Sequence, residues 1–371
     1  MDVVVLARWE RRLRPLLTRL PRSWAVRLAS AGRRRFSAAL ARCHPATQRS
    51  VPAGLGVTLW HGLRFRAPLI NAAGMFKNGG GHALALAQGA GGYLAGTTTA
   101  QPCSGNRVRG IEQPFVPYPR SGAASNGLGL PNDAHATVAQ RLSRLPRVAG
   151  FPLGASLALD ARRAGSFEQR MADLVRGMHA YEAAGVDFLE LNESCPNTGD
   201  SGVSWEQLDA RLRAYQRGFL AQRGRPLPVV VKLSCDTPAR GVERLVRVLI
   251  EYGFDGVNLG NTSVDYACHR RVIDARERRL YDHFTSTFGG GVSGRPLRDE
   301  MLDLVRAAVR ARVASGAEAF AVIATGGIET AGDIAAAQAA GASLCQWYTG
   351  YFENLGRNGH ALYQRIYRAL R

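Results

Sequence analysis

The sequence predicts an α/β fold, a (β/α)8 TIM barrel preceded by a helical extension, and three observations support this prediction. Eight short apolar runs alternate with stretches of helical periodicity, which is the pattern of repeated βα units. Glycines and polar residues follow the runs, where a barrel collects its functional groups. Neither a GxGxxG fingerprint nor a P-loop occurs, so dinucleotide or nucleoside triphosphate binding by those routes is not expected.

The apolar runs and helical patterns define one large unit. The predicted strands are Pro68–Ala73, Gly92–Thr97, Pro152–Ala158, Val186–Leu191, Leu227–Leu233, Gly256–Gly260, Ala319–Thr325 and Ser343–Tyr348. The predicted helices between them include Phe167–Ala184, Arg240–Tyr252, Leu297–Ala314 and Ala331–Ala340. A doubly wound open sheet would also alternate, but it seldom needs eight units. We therefore expect a barrel domain over residues 46–371 and a helical extension over residues 1–45.

The extension has the pattern of two basic amphipathic helices. Apolar residues recur at helical spacing as far as Leu20, Pro21 interrupts them, and Ser23 can cap a second helix that reaches about Ala41. Twelve arginines lie in residues 1–50, within a chain whose formal net charge is +19. The pair could pack on the barrel as a flap, contact an anionic membrane surface, or act as a mitochondrial transit segment.

We favour peripheral membrane contact through residues 1–42, at the cytoplasmic face of the inner membrane. A cytoplasmic location remains open, as does the mitochondrial inner membrane if the first residues are a transit segment. No apolar run approaches the length of a membrane span.

Cysteine and lysine usage point to particular residues. The six cysteines show no paired or metal-binding spacing, so we expect reduced thiols and no metal site. Cys195 follows a predicted strand and has amides on either side, which makes it the candidate nucleophile or acid/base. Only two of 48 basic residues are lysines, Lys77 and Lys232. An ammonium fits beside a flat ring where a guanidinium fork needs more room.

Glycines after the last strands indicate a phosphate site. Gly326-Gly327 and Thr349-Gly350 follow strands seven and eight, where backbone N–H groups can approach an anion. Tight βα turns are the alternative explanation. Together with the two lysines, these glycines favour flavin mononucleotide (FMN), with Lys232 supplying positive charge near the N1–C2 edge of the ring.

Several segments together resemble dihydroorotate dehydrogenases, in family order over about residues 55–370. The matching pieces are Asn71-Ala72-Ala73-Gly74 with Lys77-Asn78-Gly79, Gly96-Thr97, Asn126-Gly127-Leu128-Gly129-Leu130-Pro131-Asn132, Leu191-Asn192 with Ser194-Cys195-Pro196-Asn197-Thr198, Val231-Lys232-Leu233, Gly260-Asn261-Thr262, Ser293-Gly294-Arg295-Pro296-Leu297, Gly326-Gly327-Ile328 and Tyr348-Thr349-Gly350. The resemblance implies an FMN barrel that oxidises (S)-dihydroorotate to orotate in pyrimidine biosynthesis.

The resemblance also assigns roles to residues. It implies that Cys195 removes a proton from C5 of the substrate while hydride leaves C6 for flavin N5. Implied substrate-binding residues are Lys77, Asn126, Gly127, Leu128, Gly129, Leu130, Asn192, Asn197, Asn261 and Thr262. Implied cofactor-binding residues are Ala73, Gly74, Lys77, Thr97, Ser156, Asn192, Lys232, Gly260, Gly294, Gly327, Tyr348 and Thr349.

The electron acceptor is open on the sequence. A cysteine before Pro196 is similar to the soluble class, which passes electrons to fumarate or a partner subunit. Lys77-Asn78-Gly79 and the helical extension are similar to the membrane-associated, quinone-linked class, which we favour. The alternatives are an FMN enzyme of another dihydropyrimidine-like substrate, a non-enzymatic flavoprotein and a tRNA dihydrouridine synthase. No nucleic-acid partner is expected, because the positive charge concentrates in the apolar N-terminal helices.

Overall fold

Two helices precede the barrel and pack on it. The computed structural model describes residues 2–160, 163–193 and 204–370. Helix α1 (Val3–Leu13) continues into a 3-10 turn over Arg14–Arg19, and α2 (Arg22–Ala41) follows. Pro15 ends the regular α-helix early, because proline lacks the N–H that the ladder needs. The prediction of a single α-helix as far as Leu20 is therefore wrong from Arg14 onward. Pro21 occupies the N-cap position of α2, and Ser23 lies within the helix rather than capping it.

The rest of the chain alternates strands and helices. The strands are β1 (Val57–Leu59), β2 (Leu63–Phe65), β3 (Leu69–Asn71), β4 (Tyr93–Thr98), β5 (Arg107–Val108), β6 (Ile111–Glu112), β7 (Phe115–Tyr118), β8 (Ala123–Asn126), β9 (Leu153–Leu157), β10 (Phe188–Asn192), β11 (Val229–Leu233), β12 (Gly256–Leu259), β13 (Gly291–Gly294), β14 (Ala321–Thr325) and β15 (Leu344–Trp347). The helices are α3 (His82–Gln88), α4 (His135–Ser143), α5 (Phe167–Ala183), α6 (Trp205–Tyr215), α7 (Ala239–Glu251), α8 (Tyr266–Arg270), α9 (Arg278–Phe288), α10 (Arg298–Ala314), α11 (Ala331–Ala339), α12 (Thr349–Asn358) and α13 (Leu362–Ala369).

Eight of these strands form a parallel sheet in the order β3-β15-β14-β12-β11-β10-β9-β4. The ends of the sheet meet at β3 and β4, where the Asn71 amide donates to Leu94 O at 2.7 Å and Gly74 N donates to Gly96 O at 2.6 Å. All eight predicted strands are present, and the predicted TIM barrel is confirmed. Its strands are almost entirely buried on both faces, as expected for a parallel sheet covered by helices.

A second, antiparallel sheet of β13, β8 and β7 lies over the barrel. Gly291 of β13 pairs with Asn126 of β8, and Asn126 pairs with Phe115 of β7. Helix α2 holds this sheet in place, because Phe115 N donates to the Ser30 hydroxyl at 2.9 Å. This sheet was not predicted, because its strands are short and β13 pairs with β8 across about 165 residues of chain.

The helical extension shares the core of the barrel domain. Val4, Ala7 and Leu40 belong to the same apolar cluster as the barrel strands. The helical extension therefore packs on the barrel, as the flap interpretation predicted. The division of the chain into two domains at residue 45 stays a prediction. Within the described ranges, no helix is both long and apolar enough to cross a bilayer.

Candidate active site at the carboxyl ends of the barrel strands

A cavity of about 1110 Å³, partly open to solvent, lies between the carboxyl ends of the barrel strands and the antiparallel sheet. The barrel contributes residues that directly follow or end its strands, and the second sheet contributes Phe115, Asn126, Ser293 and Gly294. The site is therefore built by two sheets, with the barrel below and the β7–β8–β13 sheet at one side.

One wall carries a chain of amides. The Asn261 side chain donates to Asn192 Oδ1 at 3.2 Å, and the Asn192 amide donates to Thr97 Oγ1 at 3.3 Å. Strands β12, β10 and β4 supply these residues at or just beyond their ends. Asn126 is held by a bond from its amide to Gly291 O at 3.2 Å. Fixed amides present both donors and acceptors, which suits the edge of a polar ring.

The bottom of the cavity is ionic. Lys232 lines it at 2% exposure, donates to Gln346 Oε1 at 3.2 Å and lies 3.7 Å from Glu190 Oε1. Burial lowers the pKa of Lys232, and the neighbouring Glu190 carboxylate opposes that effect. A cation at this place can stabilise negative charge on a ligand above it.

The far end is lined by glycines and by the beginning of α12. A Cβ on Gly260 would lie 1.7 Å from Thr325 O, and one on Gly327 would lie 2.6 to 2.8 Å from Arg298. These residues must be glycine, because backbone approaches backbone too closely for any side chain. Thr349 and Gly350 open α12 at the cavity, and a helix N-terminus favours an anion such as a phosphate.

Two arginines and one glutamate adjoin this end. Arg295 makes a bidentate pair with Glu329 at 2.8 and 2.9 Å, and Arg357 lies 3.1 Å from the same carboxylate. Arg357 also lies 3.8 Å from Glu353, so these two guanidinium groups are matched by two carboxylates. The glycine cradle and the helix N-terminus fit a phosphate, while the ammonium and amides fit a flat polar ring. The described residues thus fit a phosphorylated flavin.

Most of the predicted site residues meet in this one cavity. Those that line it are Ala73, Gly74, Lys77, Thr97, Asn126, Leu128, Leu130, Asn192, Lys232, Gly260, Asn261, Thr262, Gly294, Gly327, Tyr348 and Thr349. Gly127 and Gly129 lie between lining residues without lining the cavity themselves. Ser156 is fully buried one layer lower, 2.9 Å from Thr97 Oγ1. Cys195 and Asn197 lie outside the described residues, so their roles stay predictions.

Sequence reasoning missed several lining residues. Phe115 and Gln346 line the cavity and had no assigned role, nor had Glu190, whose buried carboxylate lies 3.7 Å from Lys232 beneath the cavity. Phe115 could not be found because the second sheet was not predicted. The signal for Glu190 was available, since a glutamate inside an apolar strand is rarely buried without a partner.

Fold and site together define a TIM-barrel enzyme with its active site at the carboxyl end of the barrel. The family model for dihydroorotate dehydrogenase matches residues 55–370. The chain therefore belongs to the dihydroorotate dehydrogenase family, and it is an oxidoreductase.

Individual relatives agree with this assignment. The chain is 31% identical over 353 residues to a dihydroorotate dehydrogenase (quinone) of Methylococcus capsulatus, covering 92% of this chain and 94% of that protein. It is 32% identical to an enzyme of the same name from Parvibaculum lavamentivorans, over 82% of this chain and 80% of the relative. A ligand-free DHODH crystal structure from Eimeria tenella has the same fold, with a TM-score of 0.72, 23% identity and coverage of 92% and 93%.

Proposed function

We propose that the protein oxidises (S)-dihydroorotate to orotate, with FMN as cofactor and a quinone as electron acceptor. The observation that carries the proposal is the cavity in which Asn192, Asn261 and Thr97 form one amide and hydroxyl chain facing the same space as Lys232. The names of the curated relatives support both the substrate and the quinone. Membrane attachment and the Cys195 base are parts of the same proposal.

Each group has a physical task. Lys77 and Asn126 line the cavity, and their ammonium and fixed amide would hold the substrate carboxylate. Asn192 and Asn261 orient the ring amides, since each can donate and accept. Cys195 takes the proton from C5, which requires a thiolate near that carbon. Bound FMN would supply a hydride acceptor at N5.

The acceptor proposal rests on the surface of the extension. Trp9, Leu13, Trp24 and Leu28 are each more than half exposed on α1 and α2. Arginines lie among them. Exposed apolar side chains with basic neighbours suit the headgroup layer of an anionic membrane. Because α2 also contacts the cavity wall through Ser30 and Phe115, this surface would bring a membrane quinone to the site.

Anaerobic addition of dihydroorotate to the yellow protein tests the substrate. We expect the flavin absorbance to bleach in the wild type and to persist in Cys195→Ala, with flavin still bound. Cys268→Ala is the matched control, because Cys268 is an exposed thiol on α8, and it should bleach normally. Bleaching of Cys195→Ala at the wild-type rate would contradict the base assignment, and no bleaching of the wild type would contradict the substrate.

Reoxidation of the bleached protein tests the acceptor. We expect ubiquinone in liposomes to reoxidise it faster than fumarate or NAD+. The double substitution Trp9→Ser with Trp24→Ser should slow liposomal quinone turnover at least tenfold and leave dye-linked turnover unchanged. Val272→Ser with Val313→Ser removes equally exposed apolar residues from the barrel domain and should change neither rate. Preferential reoxidation by fumarate would contradict the quinone proposal.

A further inference from the structure

A buried carboxylate lies beneath the ammonium of the active site. Glu190, at 1% exposure, projects from β10 into the barrel interior. Its Oε2 accepts from the amides of Asn258 and Gln346, both at 2.7 Å, and its Oε1 accepts from the Ser156 hydroxyl at 3.3 Å. The same Oε1 lies 3.7 Å from Lys232 Nζ. A carboxylate with three donors and a cation is a fully satisfied buried anion.

This carboxylate also fixes the groups that hold Lys232. Because a carboxylate only accepts, the amide of Gln346 must turn its NH2 toward Glu190 and its oxygen toward Lys232. That oxygen accepts from Lys232 Nζ at 3.2 Å and from Thr325 Oγ1 at 3.2 Å. The ammonium therefore has two fixed contacts, from Glu190 and Gln346, and it also lines the cavity.

The charge of the Lys232 side chain depends on the neighbouring Glu190 carboxylate. Burial alone favours the neutral amine of Lys232 and lowers its pKa, while Glu190 acts in the opposite direction. Among the residues that the structure describes, the other titratable group that acts on Lys232 is Cys235, just beyond the end of β11. Burial raises the pKa of that thiol, which keeps it neutral. Glu190 is thus the neighbour that opposes burial and favours the charged form of Lys232.

We propose that Glu190 is a positioning residue that sets the flavin reduction potential, by holding Lys232 as an ammonium aimed at the cavity. This inference rests on the proposed function, because it needs a flavin over Lys232. An ammonium stabilises the negative charge that a flavin gains on reduction. With the carboxylate removed, that stabilisation should depend on pH, because Lys232 would lose its proton within the ordinary pH range.

The first experiment measures the pair without using the flavin. Melting temperatures of the purified full-length protein are compared from pH 6 to pH 9.5 for the wild type, Glu190→Gln, Lys232→Met and the double variant. In Glu190→Gln the folded pKa of Lys232 lies further below its unfolded value, so the unfolded chain binds the extra proton and stability should rise with pH. In Lys232→Met the Glu190 carboxylate loses its cation and the amine that titrates is gone, so this variant should melt below the wild type without that rise.

The expected result is a melting temperature that rises with pH, relative to the wild type, in Glu190→Gln and not in Lys232→Met, with each single variant melting at least about 5 °C below the wild type at pH 6. The double variant should recover most of that loss and show no such rise, because neither charge remains. Two parallel single-variant curves would overturn the ionic pair.

The second experiment measures the flavin midpoint potential at the same pH values, as the difference between variant and wild type so that the flavin's own titration cancels. In Glu190→Gln, the preference for reduced flavin should fall at least tenfold between pH 6.5 and pH 9, equal to about 30 mV for a two-electron couple. Glu190→Asp keeps a carboxylate and should follow the wild-type profile.

The outcomes separate the two proposals. If the Glu190→Gln protein is yellow and its flavin midpoint potential differs from that of the wild type by the same amount at every pH, the positioning role is overturned. The proposed function is then left intact. A colourless preparation that ignores added FMN would overturn the proposed function, and with it the role of Glu190 in setting a flavin potential.

Discussion

The ion pair that fastens α1 to the barrel provides the sharpest test of how the extension is held. Arg14, at 9% exposure, has its Nη2 in contact with Glu353 Oε1 on α12. Arg357 Nη2 lies 3.8 Å from the other oxygen of Glu353, and Glu10 Oε2 lies 3.9 Å from Arg14 Nη1. Glu353→Gln removes the main anion and leaves the buried Arg14 guanidinium with the half-exposed Glu10 as its one carboxylate partner among the described residues.

The expected cost is about 3 kcal/mol, the lower end for breaking a buried pair, because Glu10 offsets part of the lost attraction. If that cost falls on the docked state of α1, the undocked population should rise about 100-fold. Tryptic cleavage within α1 should accelerate by the same factor, since cleavage follows the open population when docking is fast.

Asp303→Asn is the control, because Asp303 pairs with Arg306 at 2.8 Å on an exposed surface. Exposed pairs contribute about 0 to 1 kcal/mol, so cleavage within α1 should stay within threefold of the wild type. Replacement of both buried partners, Arg14→Met with Glu353→Leu, should restore most of the resistance. An acceleration of less than tenfold in Glu353→Gln would refute the reasoning.

Two further predictions concern the barrel. Gly260→Ala should lower the free energy of unfolding by more than 3 kcal/mol in urea titrations, because its Cβ would lie 1.7 Å from Thr325 O. Gly253→Ala, at a similar positive φ with open space, should cost about 1 kcal/mol, and equal losses would contradict the clash. Burial lowers the pKa of His135 to about 3, so stability should fall by about 1.4 kcal/mol per pH unit from pH 6.5 toward 3. His135→Gln should reduce this loss of stability at acid pH, whereas the control His61→Gln, at an exposed histidine, should leave it unchanged. An unchanged loss in His135→Gln would contradict the assignment to His135.

The barrel could be predicted because its signals are local. The barrel strands are mostly apolar runs, as in Val229–Leu233 with its single polar residue Lys232, and the stretches between them have helical periodicity. The site residues at strand ends could be predicted for the same reason, because parallel strands bring their carboxyl ends to one edge. Lys232 stood out by composition alone, as one of two lysines in the chain.

The second sheet could not be predicted in this way. Strands β7, β8 and β13 have four residues each, too few for a periodic signal to separate them from loops. Their pairing joins Asn126 with Gly291, a contact that no local pattern encodes. The wall that carries Phe115 into the cavity therefore appeared only in the folded structure.

The sequence by itself determined the order of the strands, the position of the glycines and the identity of the charged groups at the strand ends. Only the tertiary structure decided that Glu190 lies under Lys232 and that Arg14 reaches Glu353, because both pairs join segments distant in the chain. The physical reason is that a charge can be recognised in a sequence, whereas its energy depends on burial and on the partner that packing provides.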